Sequence, residues 1–129
     1  MHWSESYIGK PYVLNEADCA SLVCEVRARE FDGTVPDFVL AMRENTRLKR
    51  MEQLEYLARK AVTQTDNPSE GDVVLMICRA RPSHVGVYCV VDNEPSVLHA
   101  MENAKMVVRH RIRDLDKFCL SVEGYYKWN

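Results

Sequence analysis

From Asp72 onward the chain presents five short apolar runs, DVVLMIC, HVGVYCVV, SVLHAM, KMVVRHRI and CLSVEGYYKW, broken by polar stretches such as RARPS and DNEP. Runs of this length, rich in Val, Tyr and Ile, are strands, and the stretches between them are turns. Upstream of the polar turn TQTDNPSEGD (63–72) the period is helical instead. Helices first and antiparallel strands afterwards restrict the chain to an α+β fold, with N-terminal helices packed on one face of a five- to six-stranded antiparallel sheet. The polar turn marks no domain boundary, because the helical part is too small to fold alone and its apolar stripes need the sheet. Residues 1–129 are therefore expected to form one domain, which suits a chain of 129 residues.

The helical part begins with WSESYIGKPYVLNEA, a short helix or loop punctuated by Gly9 and Pro11. Asp18 is then a good N-cap. Cys19, Leu22, Val23 and Val26 follow at i, i+3, i+4 and i+7, one face of a helix. The charges of Glu25, Arg27, Arg29 and Glu30 lie mostly off that face, and Gly33 and Pro36 end the helix. A second helical region is expected from about Val39 to Val62, burying Leu48, Met51, Leu54, Leu57, Ala58 and Ala61.

Composition narrows the function. With 47% apolar and 28% charged residues the chain reads as a soluble globular protein. A net charge of -2 argues against a nucleic-acid grip built on bulk positive charge. No stretch approaches the ~20 apolar residues that span a bilayer, so no membrane partner is expected. The N-terminus MHWSESYIGK carries no apolar signal region, which leads us to expect synthesis in a reducing cytoplasm. The five cysteines are irregularly spaced; Cys24, Cys78, Cys89 and Cys119 sit in apolar runs and read as small core residues. No Cys/His pair has zinc spacing and no glycine-rich phosphate loop appears, so neither a metal nor a cofactor is expected.

The chemistry converges on one cysteine and two histidines. A helix N-terminus and a neighbouring imidazolium both stabilise a thiolate, and Cys19 stands at the first helical position, just after Asp18. Along SHVGVYCVV, alternation separates Val85, Val87, Cys89 and Val91 from His84, Gly86, Tyr88 and Val90. His84 opens its strand after a Pro-Ser turn, a position open to a cleft, and Gly86 leaves room beside it. In SVLHAM, Val97, His99 and Met101 share a face. A two-residue turn at Asp92-Asn93 pairs His99 with Gly86 and His84 with Met101, which makes the histidines diagonal neighbours about 7–8 Å apart between backbones. A loop over all of DNEP moves them apart by one further residue pair. Sequence alone leaves both registers open. Taken singly, a cysteine on an apolar helix face is ordinary core and a strand histidine is ordinary structure. Together they supply nucleophile, base and orienting group, with first-turn amides as oxyanion donors. Cys24 has no comparable position, while His2 flanks nothing chemical and His110 reads as part of a solvated strand face.

YIGKPYVLNEADCASLV, EGDVVLM, SHVGVYCV, VLHAMENAKMVV and the C-terminal GYYKW together resemble the NlpC-type cysteine peptidases, papain-like and circularly permuted cell-wall endopeptidases. The resemblance covers nearly the whole chain and is weakest across residues 34–65. It implies Cys19 as nucleophile, His84 as base and His99 as the orienting residue. Tyr12, in KPYVL, matches a family tyrosine near the thiol that assists oxyanion or substrate; Asp18 and Ser21 flank the same site. The implied reaction is hydrolysis of peptide-stem bonds of peptidoglycan through a thioester, without a metal. The single-domain form resembles members encoded by tailed phages, which implies tail proteins as partners and incorporation in a virion tail. Three features depart from the family: Ala20-Ser21 stands where Ser-Gly is usual, NEA replaces the glycine pair before Asp18-Cys19, and the link from His84 to His99 is slightly long.

Overall fold

A computed structural model of the chain describes residues 1–13, 18–33 and 62–129. Among them are one α-helix, α1 (Cys19–Glu30), and six strands: β1 (Val62–Thr65), β2 (Val73–Cys78), β3 (Arg81–Val91), β4 (Glu94–Met101), β5 (Met106–Arg111) and β6 (Leu120–Trp128). Two 3-10 helices, Trp3–Ser6 and Ile112–Phe118, complete them. The strands form one antiparallel sheet in the order β1-β6-β2-β3-β4-β5. The α+β expectation and the antiparallel sheet are met.

Helix α1 starts where Asp18 caps it. The Asp18 Oδ1 accepts from the Ser21 amide at 2.9 Å, satisfying one of the first-turn donors that a helix leaves unpaired. Arg27 and Arg29 in the last turn face the negative end of the helix dipole. The buried face is wider than the four-residue stripe, taking in Ala20 and Cys24 besides Cys19, Leu22, Val23 and Val26. It lies against β3 and β4.

Two apolar layers sandwich the sheet. On one side Cys19, Leu22, Val23 and Val26 meet Val73, Leu75, Val85, Val87, Leu98, Ala100 and Val107. On the other, Leu115 of the second 3-10 helix meets Val74, Met76, Tyr88, Val97 and Leu120. Coverage of both faces explains why Val73–Met76 is buried residue after residue, with no polar alternation.

The turns set the register. Arg79 and Ala80 join β2 to β3 with φ of 54° and 64°, and Asp92 and Asn93 join β3 to β4 with φ of 52° and 63°. Both two-residue turns have the left-handed backbone whose twist matches that of a hairpin. Val87 pairs with Leu98 and Val91 with Glu94, which is the tighter of the two registers that DNEP left open. Beyond β5 the N-terminal segment extends the sheet's edge: the Gly9 amide donates to Val107 O at 2.9 Å and the Tyr12 amide to Lys105 O at 3.0 Å. Arg109 ties that segment down, donating to Ser4 Oγ at 2.8 Å and Glu5 Oε1 at 2.9 Å.

Three expectations need correction. Val62–Thr65 is a strand, not a helix end and polar turn; it is an edge strand paired to Tyr125–Trp128, and its exposed Thr63 and Gln64 hide the pattern. The rest of the expected second helical region lies outside the described residues. RARPS is not all turn, since β3 begins at Arg81, and Pro82 is accommodated beside a register shift between Met76 and Ile77. Cys119 is not core: it is exposed in a left-handed turn (φ 60°), and Cys78 is only half-buried. Cys89 and Cys24 are buried as expected.

Candidate active site

The sharpest polar feature of the fold is a row of three imidazoles across β3, β4 and β5. His84 Nε2 lies 2.8 Å from His99 Nδ1, and His99 Nε2 lies 3.0 Å from His110 Nδ1. The first link follows from the tight β3–β4 turn, which makes His84 and His99 diagonal neighbours. The second follows from the 102–105 turn, closed by the Lys105 amide on Glu102 O at 3.1 Å, which pairs Met101 with Met106 and His99 with Val108. His110 is then the next residue on the same face.

Burial grades along the row. His99 is 0% exposed, while His84 and His110 are half-buried. Desolvation holds the His99 imidazole well below the usual 6.5, and the facing His84 and His110 push the same way. Burial also lowers His110, with Asp114 opposing it. The far face of His110 stacks on Phe118, ring centroids 3.9 Å apart and planes 13° from parallel. The reading of His110 as a solvated strand residue is therefore wrong. The sequence did carry a signal for it: parity with Val108 across the ENAK turn puts His110 beside His99.

The thiol site is built on α1. Cys19 is the first helical residue and is 2% exposed, lying in the apolar layer between the helix and the sheet. The first turn of the helix brings its amides and the positive end of its dipole to this thiol. Asp18 is buried and serves as the cap, and the half-buried Ser21 supplies the amide that Asp18 binds. Tyr12 packs partly buried against the same apolar layer, held by its amide on Lys105 O. Alternation puts His84 and His99 on the Tyr88 and Val97 side of the sheet, opposite the layer that holds Val85 and Leu98. His84 pairs with Met76, which lies in the second layer, while Cys19 lies in the first, so alternation places the thiol and the histidine row on opposite sides of the sheet.

Among the described residues no group of three or more His, Cys, Asp or Glu is arranged to hold a metal ion. No described helix is long and apolar enough to cross a membrane. His2 has a structural role: it caps the first 3-10 helix through the Ser4 amide at 3.0 Å and meets Glu70 Oε1 at 2.9 Å.

The NlpC/P60 family model matches residues 9–118, a span that takes in Cys19, His84, His99 and His110. The chain belongs to the NlpC/P60 family. No curated protein matches it. Among solved structures it is similar to an N-acetylmuramoyl-L-alanine amidase from Bacteroides uniformis, at 14% identity and a TM-score of 0.40, over 97% of this chain. This NlpC/P60 chain spans 59% of that amidase's length.

Proposed function

We propose that the protein is a thiol hydrolase of peptidoglycan stem peptides, working through Cys19, His84 and His99. The observation that carries this reading is the 2.8 Å bond from His84 to His99 in an NlpC/P60 chain whose Cys19 begins a capped helix. His84 turns Nε2 toward His99, so Nδ1 is the nitrogen assigned to the thiol. The mechanism requires the Cys19 thiol to meet His84 at the open end of β3, past the point where the β3–β4 ladder stops; there His84 Nδ1 takes the Cys19 proton and the thiolate attacks the amide carbonyl. First-turn amides of α1 stabilise the oxyanion, with Tyr12 assisting. The imidazolium then protonates the leaving amine, a thioester forms, and His84 activates the water that releases it. His99 orients the base throughout, as the third member of such triads does. Asp18 holds the helix start, and Ser21 narrows the approach to the thiol where the family usually has glycine. The test is turnover of purified muropeptides by the wild type and by Cys19→Ala; equal rates would remove the proposal.

A second reading is favoured by one observation, the 2% exposure of Cys19. On it, the protein keeps the fold but acts through a protein interface, as a component of a phage tail. A thiol probe separates the two: a catalytic Cys19 labels faster near neutral pH than a cysteine in an unfolded peptide. A panel of model amides and esters would distinguish stem peptides from other acyl substrates.

A further inference from the structure

His110 has no part in that mechanism, yet it is bonded to the residue that orients the base. The proton count of the row gives it one. A neutral imidazole carries one N–H and one lone pair, so a ring bonded on both sides donates on one and accepts on the other. His99 is such a ring. The three neutral rings therefore have two proton arrangements: every proton on Nε2, or every proton on Nδ1. In the second, His84 Nδ1 carries a hydrogen and cannot take one from the thiol. In the first, that nitrogen holds a lone pair. An imidazolium at His84 imposes the same choice, because it donates from both nitrogens. His99 Nδ1 must then accept, His99 must carry its proton on Nε2, and that proton needs an acceptor.

We propose that His110 is a positioning residue: by accepting the His99 Nε2–H at its own Nδ1, it selects the His99 tautomer that lets His84 act as base. The proposal rests on the hydrolase reading and extends it by a fourth residue. The surroundings suit the role. His99 is wholly buried, so bulk water does not substitute for His110 at that nitrogen. Phe118 stacks on the His110 ring and restrains its plane. The 3-10 helix Ile112–Phe118 carries Phe118 and is anchored by Leu115, 2% exposed in the second apolar layer. Both His99 and His110 sit below the usual 6.5, which keeps each at one proton near neutral pH.

Nitrogen-15 NMR of the imidazoles tests this without substrate. In the wild type, His84, His99 and His110 should each be protonated at Nε2, with Nδ1 of His99 and His110 showing the shift of an acceptor. His110→Phe keeps a ring for Phe118 to stack on but removes the acceptor. It should convert His99 wholly or partly to the Nδ1–H form and slow iodoacetamide alkylation of Cys19 about tenfold or more. His110→Asn places an amide oxygen where Nδ1 was and should restore both readouts. A wild-type His99 protonated at Nδ1, or a folded His110→Phe with unchanged His84 and His99 tautomers, overturns the proposal. The tautomers are read independently of reactivity, so a wild-type Cys19 that proves unreactive counts against the hydrolase reading and is told apart from a failed histidine row.

Discussion

The His84 Nε2 to His99 Nδ1 bond, 2.8 Å long, joins β3 to β4 beyond Val87 and Leu98, where their ladder ends. A side-chain link thus takes over where the backbone link stops, at the end of the sheet nearest the β2–β3 register shift. Anything that spreads these strands separates His84 from His99.

Gly86 is where spreading is easiest to induce. A Cβ there would stand 2.5 Å from Val97 Cγ2, 2.8 Å from Leu98 O and 3.0 Å from His99 Cβ. Backbone and a buried strand residue cannot yield cheaply, so Gly86→Ala should cost about 1–3 kcal/mol in urea unfolding. It should also weaken the His84–His99 bond, seen as a changed imidazole nitrogen shift. A variant with the wild-type midpoint and shifts would show that the strands are not in tight apposition.

Acid should destabilise the fold through the same row. The unfolded chain protonates His99 and His110 near 6.5, while the folded chain holds both lower. Between those values the unfolded state binds more protons, so stability falls as pH falls through 6.5 toward the folded values. One fully buried imidazole sets a slope of up to about 1.4 kcal/mol per pH unit. Thermal unfolding from pH 7.5 down to 5 should show a falling Tm, and His99→Gln should flatten that fall. An equally steep fall in His99→Gln would assign the effect to other groups.

Asp18→Ala removes the cap of α1. The expected loss is about 1 kcal/mol, with Asp18→Asn retaining most of it. Because Cys19 is the next residue, the same substitution should loosen the first turn and change the alkylation rate of that thiol. Mass spectrometry of timed iodoacetamide reactions checks both parts against an unfolding curve.

Three of the five cysteines should divide cleanly in such an experiment. Burial, with Glu70 adding to it and Arg109 opposing, pushes the Cys89 thiol up to about 12. It is 0% exposed and should stay unlabelled in the native protein at pH 7.5. Cys119 is exposed and should label like an ordinary surface thiol. Cys19 is judged between these two internal standards: faster than Cys119 means an activated nucleophile, as silent as Cys89 means core.

Local pattern determined a good deal of this protein. Asp18 before an apolar stripe is enough to start α1, since a cap acts within one turn. Five of the six strands were legible because their runs are apolar and their turns polar. The NlpC/P60 resemblance was legible in short motifs around Cys19, His84 and His99. What stayed hidden depended on a distant partner. Thr63 and Gln64 are polar and form a strand because β6 offers its edge. Cys119 sits in an apolar run and is exposed because a left-handed turn faces it outward. The β3–β4 register was a choice between two turns of similar composition, and pairing along both strands decided it. His110 became part of the histidine row through two successive registers, β3 to β4 and β4 to β5, and a stack on Phe118 from the segment that follows. Periodicity is a property of neighbours along the chain and can be read there; a hydrogen bond between side chains on different strands exists only once the strands have chosen their alignment.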